Sequence, residues 1–112
     1  MTTRPGSSVC GIDAAMDVIS GKWKVLILWE LHVGTARFGA LRRGLPGITE
    51  KVLTTHLREL ERDGVITRRE FDEVPPRVEY ALTDVGRELN DALGPLSRWG
   101  EKHRMGAEPH PA

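Results

Sequence analysis

The stretch RFGALRRGLPGITEKVLTTHLRELERDGVITRREFDEVPPRVEYAL, Arg37 to Leu82, decides the fold. Phe38, Leu41 and Leu45 fall at i, i+3 and i+7, so Arg37–Leu45 reads as a short amphipathic helix. Pro46-Gly47-Ile48 breaks it. From Thr49 to Asp63, Leu53, Leu57 and Leu60 line one face of a second helix. Thr49 suits its N-cap, because a threonine hydroxyl can accept a free N–H of the first turn. Ile48 before that cap and Leu53 after it have the spacing of a hydrophobic staple. Gly64 stops the helix. Two strand-like runs follow, Ile66–Phe71 and Arg77–Leu82. In the second, Val78, Tyr80 and Leu82 alternate with Arg77, Glu79 and Ala81, as a half-buried strand requires. Pro75-Pro76 cannot donate to a ladder and belongs at the hairpin tip.

Outward from this stretch the pattern is helical. Ile12, Ala15, Met16 and Ile19 predict a first helix over Cys10–Ile19, closed by Ser20-Gly21. The apolar run Trp23–Leu31 has the length of a buried strand or a buried helix. Leu, Trp, Lys and Glu dominate it and favour helix. Thr83 caps a last helix striped by Val85, Leu89, Leu93, Leu96 and Trp99, which Gly94-Pro95 is expected to kink or divide. Residues 1–9 and 106–112 are polar, small or proline-bearing and are expected to be flexible tails around one domain over 10–105. The fold class is mainly α with a small β-hairpin. Helix, tight turn, helix and hairpin, in that order, is the winged helix-turn-helix plan, which sets its second helix in a DNA major groove.

The bulk composition neither demands nor forbids such a partner. The chain has 112 residues, enough to bury a core without disulfides or metals. Its net charge is zero, so no globally basic surface announces nucleic acid. Arg37–Arg77 carries nine basic and seven acidic residues, a local +2 against −2 elsewhere. Cys10 is the one cysteine, so neither an intramolecular disulfide nor a cysteine metal site can form. His32, His56, His103 and His110 do not share a metal-site spacing. No cofactor is expected, and no acid–base pair, nucleophile elbow or phosphate loop suggests an enzyme. The N-terminus lacks the apolar core of a signal peptide and no run can cross a bilayer, which points to the cytoplasm and away from membranes.

Thr49, Glu50, Lys51, Thr54 and Thr55 sit where a reading helix meets base edges. Lysine can meet guanine or phosphate, threonine a base or a thymine methyl, and glutamate a cytosine amine. Arg58 lies further along and suits a phosphate. The same residues also fit an ordinary solvated face, and Glu50 sits awkwardly beside a phosphate backbone. On the wing, Arg69 and Arg77 are the chosen DNA contacts over Arg68; cross-strand pairing with Glu70 and Glu79 is the alternative. Arg37, Arg42 and Arg43 flank the preceding helix, and clamping phosphate or simple solubility accounts for them equally well. Cys10, at a helix N-terminus, is either an inert thiol or a redox or electrophile sensor. The apolar stripes of the first and last helices (Ile12, Met16 and Ile19; Leu89, Leu93, Leu96 and Trp99) exceed what so small a domain can cover and predict a dimer interface.

Taken together, Cys10, Gly21-Lys22-Trp23-Lys24, Leu45-Pro46-Gly47-Ile48, Leu57-Arg58-Glu59-Leu60-Glu61, Val74-Pro75-Pro76-Arg77-Val78-Glu79-Tyr80 and Trp99 resemble the HxlR-type bacterial transcriptional regulators, related in plan to the MarR type. The resemblance spans Cys10 to His103. It implies a homodimer built from the terminal helices, a palindromic double-stranded operator, and in some members a sensor cysteine, which falls on Cys10. Members often begin the reading helix with Ser-Gln-Lys where this chain has Thr49-Glu50-Lys51, so the glutamate brings a negative charge to the groove or faces away from it. The expected function is a homodimeric DNA-binding regulator, a repressor, responsive to an oxidant or small-molecule effector through Cys10. The alternatives are a winged helix that docks a protein, or a ligand-responsive regulator without thiol sensing.

Overall fold

The computed structural model describes residues 9–105. Apart from Val9, the tails expected over 1–9 and 106–112 lie outside the described residues. Five helices surround a small antiparallel sheet: α1 (Gly11–Ile19), α2 (Lys22–Glu30), β1 (Ala36–Arg37), α3 (Phe38–Gly44), α4 (Glu50–Arg62), β2 (Ile66–Phe71), β3 (Arg77–Leu82) and α5 (Asp84–Arg104). The Trp23–Leu31 run is helical, as its composition favours, and tightens into a 3-10 turn over Leu31–Val33.

The expected β2–β3 hairpin is present, and a third strand joins it in a sheet of order β1-β3-β2, because Ala36 and Arg37 pair with Tyr80 and Glu79. A two-residue strand is too short to show alternation, so no periodicity could mark it. One expectation needs correction: Pro95 does not divide the last helix, and α5 runs unbroken from Asp84 to Arg104. Pro95 and Asp91, whose carbonyl loses its ladder bond, are both exposed, and water can satisfy that carbonyl. On the opposite side Leu93 stays buried and Asn90 Nδ2 donates to the Leu28 carbonyl at 2.6 Å, tying α5 to α2.

The core is a single cluster. Ile27, Leu28 and Leu31 from the α2 segment meet Leu41 and Leu45 around α3, Leu53, Leu57 and Leu60 of α4, and Ile66 and Tyr80 of the sheet. The turn between α3 and α4 requires Gly47, whose φ of 94° lies in the left-handed region. At the other end of α4, Gly64 (φ 78°) lets the Val65 N–H return to the Leu60 carbonyl at 3.2 Å, an ordinary glycine helix stop. Gly86 is needed for a different reason: a side chain there would collide with the Val65 carbonyl. This close approach, with the Thr83 hydroxyl donating to the Gly64 carbonyl at 2.7 Å, packs the start of α5 against the end of α4.

Candidate nucleic-acid interface

Helix α4 begins as the sequence predicts. Thr49 is extended (φ −85°, ψ 157°) and its Oγ1 accepts the Val52 N–H at 3.1 Å. Leu53, Leu57 and Leu60 are buried, and Ile48 is buried beside them. The helix is therefore fixed in rotation, and that rotation decides which polar side chains face out. Lys51, Thr55 and Arg58 recur at i, i+4 and i+7 on the side away from the leucines, and all three are exposed. Arg62 continues the stripe by one turn, a position absent from the expected contacts although its spacing marks it. Neither Lys51 nor Arg58 forms an ion pair with any described residue, so both charges are free for a ligand.

The other expected contacts on α4 are placed differently. Glu50 leans toward α3, where its carboxylate lies 3.7 Å from Arg42 Nη1. Each offsets the other's charge, and Glu50 does not stand in the Lys51–Arg58 stripe. Thr54 is half-buried and lines a cleft with Phe38, Leu57, Arg58, Glu61, Arg68 and Tyr80. Thr49 spends its acceptor on the cap but remains exposed. Arg37 is exposed on β1 at the start of α3.

The inner side of α4 carries a polar contact that no local sequence pattern marks. Lys24, in the apolar α2 run, is buried, and its Nζ lies 2.9 Å from Glu59 Oε1. His56 Nδ1 is 3.7 Å from the same oxygen. The hydrogen bond from Lys24 holds the Glu59 carboxyl below the usual carboxylate range, against the opposing effect of burial. Burial first, and then the Lys24 charge, push His56 below the ordinary histidine value, with Glu59 pulling the other way. This triad pins α4 to α2 without touching its outward stripe.

The wing divides its arginines between two faces. Register pairs Arg68 with Tyr80, on the side that faces the core, and Arg69 with Glu79 and Phe71 with Arg77, on the opposite side. Arg68 binds Glu70 Oε1 at 2.5 Å, and Glu70 first and then Tyr80 hold its guanidinium more firmly charged than usual. Arg69 is exposed and lies 4.9 Å from the Phe71 ring centroid. Arg77 stacks on the same ring at 3.9 Å and pairs with Glu73 at 2.9 Å and Glu79 at 3.6 Å.

The expected interface residues also separate. Ile19 and Leu93 belong to the chain's own core, and Leu89 packs against it. Ile12, Met16, Leu96 and Trp99 stay in water, with Ile12 78%, Leu96 61% and Trp99 57% exposed. Leu96 borders an apolar groove with Val25, Leu26, Trp29 and Leu93. Cys10 is exposed and is the N-cap of α1; its carbonyl accepts the Ala14 N–H at 3.0 Å. Among the described residues no cluster of His, Cys, Asp or Glu could hold a metal, and no helix is long and apolar enough to cross a membrane.

A leucine-anchored helix with an exposed cationic outer stripe, preceded by a tight glycine turn and followed by an arginine-bearing wing, is the arrangement of helix-turn-helix transcriptional regulators of the winged type. The chain belongs to the HxlR-like helix-turn-helix family, whose sequence pattern matches residues 18–108. Cys10 lies outside that match. The HTH-type transcriptional regulator YdeP of Bacillus subtilis strain 168 is 46% identical over 95 residues, covering 85% of this chain and 74% of that relative. Among solved structures, the redox regulator HypR in its oxidized form superimposes with a TM-score of 0.80 at 43% identity, covering 85% of this chain and 98% of HypR. A MarR-family transcriptional regulator from Enterococcus faecalis V583 gives 0.76 at 50% identity, covering 91% and 90%. This chain is thus a transcriptional regulator of the helix-turn-helix type, and its family is one of DNA-binding regulators rather than enzymes.

Proposed function

We propose that this regulator is a homodimeric repressor that reads a palindromic operator, with α4 in the major groove and the Asp72–Arg77 wing against the flanking backbone. The observation that carries this reading is the split of α4 into a buried leucine face and an outward stripe of Lys51, Thr55 and Arg58 in which neither cation is ion-paired to a described residue. Lys51 and Thr55 lie in the first turns, where a reading helix reaches base edges, and Arg58 suits a phosphate. Arg37 and Arg42 flank the helix as secondary backbone contacts, Glu50 tempers Arg42, and Thr49 and Thr54 border the base-reading positions.

The apolar side chains left in water on α1 and α5 support the dimer: a second copy covering Ile12, Met16, Leu96 and Trp99 removes them from solvent. Two-fold pairing would set the reading helices roughly 34–36 Å apart, one DNA turn. A dimer seated over a promoter blocks polymerase, which is the repressor reading.

Control by thiol oxidation rests on two supports. Similar structures include HypR in oxidized and reduced forms and YodB in reduced and diamide-treated forms. Cys10 is this chain's one thiol and is exposed. Oxidation of two Cys10 thiols by diamide, which takes up two electrons and two protons, would join two subunits through a disulfide and shift the spacing of their reading helices.

A mobility shift on the DNA upstream of the protein's own gene, with and without diamide, tests the whole reading. Binding that falls steeply with salt is expected, because phosphate contacts release counterions. Salt-independent binding or none at all overturns the DNA reading. Oxidant release that survives Cys10→Ser overturns only the thiol part, and a single-subunit mass at working concentration overturns the dimer.

A further inference from the structure

The two wing arginines expected to touch DNA sit in unlike surroundings. Arg77 is engaged on three sides: its guanidinium lies 3.9 Å from the Phe71 centroid, Nη2 is 2.9 Å from Glu73 and Nε is 3.6 Å from Glu79. About a quarter of its side chain reaches water. Arg69, opposite Glu79 in register, forms no ion pair with a described residue and is exposed, with its guanidinium 4.9 Å from the centroid of the same Phe71 ring. Stacking on an aromatic face restricts an arginine without consuming its five N–H donors. A guanidinium already held between two carboxylates offers little net charge to a phosphate.

We infer that Arg77 is a positioning residue and Arg69 the wing's DNA contact. Arg77 clamps Phe71 between the strands through Glu73 and Glu79, and Phe71 in turn presents the Arg69 guanidinium to the backbone or minor groove. This deepens the DNA-binding reading and rests on it. It also gives the Pro76-Arg77-Val78-Glu79 motif a mechanical task distinct from contact.

The test is a double-mutant cycle on the intact protein, reading affinity and its salt dependence on the same upstream duplex. Arg69→Ala should weaken binding about tenfold and flatten the slope of log K against log salt by about 0.9, the signature of one lost phosphate contact. Arg77→Ala should give a similar or smaller loss. Arg69→Ala/Arg77→Ala should lose no more than Arg69→Ala alone, because Arg77 acts through Arg69. Arg77→Lys separates charge from clamping, since lysine keeps the charge but cannot stack and fork in the same way. It should behave like Arg77→Ala. Additive losses with a further 0.9 drop in slope, or an Arg77→Lys protein with wild-type slope, would show that Arg77 itself meets DNA and overturn the inference. An Arg77→Ala protein with unchanged binding overturns it too. Thermal melts of each variant confirm that the domain is folded. If the wild type fails to bind DNA at all, the function itself is wrong, which is a different outcome from an additive cycle.

Discussion

Helix α4 and the β2–β3 wing both carry cations toward the same proposed ligand, yet they are built on opposite principles. The helix is held from behind. Leu53, Leu57 and Leu60 fix it, and on its outward stripe Lys51 and Arg58 make no ion pair with a described residue, while Arg62 meets only its neighbour Asp63 at 3.7 Å. The wing has few buried side chains beyond Ile66 and Tyr80, and it orders its charges by pairing them: Arg68 with Glu70, and Arg77 with Glu73 and Glu79. Burial therefore leaves charge free, whereas mutual pairing spends it. Surface pairing of this kind anchors an element less firmly than a buried leucine face does, so the wing should be the softer of the two. The sharpest way to break the comparison is Leu57→Ala. Removing this fully buried side chain should cost about 3 kcal/mol of folding stability by denaturant titration. A loss below about 1 kcal/mol would mean α4 is not anchored by its leucine face.

The next largest effect concerns DNA. Lys51→Ala deletes an unpaired charge from the first turn of α4 and should weaken binding by about 1–3 kcal/mol without lowering the melting temperature. Arg68→Ala, on the core-facing side of the wing and already satisfied by Glu70, should change affinity far less. If the two losses are equal in fluorescence-anisotropy titrations, the free lysine and the neutralised arginine do not differ as the structure requires.

Much of this division could be read in the sequence, and the misses have physical causes. Threonine capping, the leucine spacing and the glycine stop are local signals, and they place α4 to within a residue. The rotation of α4 follows from the same spacing, which is why Lys51, Thr55 and Arg58 are where they were expected. Arg68 was also legible: it shares the parity of Ile66, so strand alternation puts it on the core-facing side. What alternation cannot supply is a partner from a distant element. Lys24 looks like a polar break in an apolar run until α2 and α4 pack and Glu59 meets it at 2.9 Å. Ile19 and Leu93 belong to the same stripes as Ile12 and Leu96. Only the packing of α1 and α5 decides which members of each stripe enter the subunit's own core. Pro95 misled for a related reason, since the cost of a proline in a helix depends on whether the freed carbonyl faces water.

The Lys24–Glu59–His56 contact makes the helix side of the comparison testable by pH. Glu59 is held below the carboxylate range, so its contribution is present above the unfolded value and lost as pH falls through the folded one. His56 is also lowered, so charging it as pH falls below the ordinary histidine range opposes folding as well. Both act in the same direction, and stability should decline on acidification, first through His56 and then through Glu59. Lys24→Met keeps the packed stem but strands Glu59. Because 34% of the Glu59 side chain remains exposed, the cost at neutral pH should be about 1 kcal/mol rather than the several of an enclosed charge. The acid decline should also flatten, since Lys24 is a cause of both shifts. A Lys24→Met protein with an unchanged pH profile would remove the triad from the account of how α4 is held.

The smallest expected effect probes a place where the helix side behaves like the wing. Glu50 and Arg42 are an exposed pair 3.7 Å apart at the junction of α3 and α4, close to the free Lys51. Glu50→Gln keeps the shape of the side chain and removes its negative charge, which frees Arg42 for the backbone and lessens repulsion of phosphate. Binding should tighten by about 0.5 kcal/mol, roughly twofold, and the salt slope should steepen slightly. Folding stability should hardly move, because Thr49 rather than Glu50 caps the helix. Weaker binding would mean that Glu50 accepts a hydrogen bond from a base amine, as a glutamate can from cytosine. In that case the carboxylate contributes to sequence choice, and the contrast between a bare helix and a paired wing would have to exclude the first residue of α4.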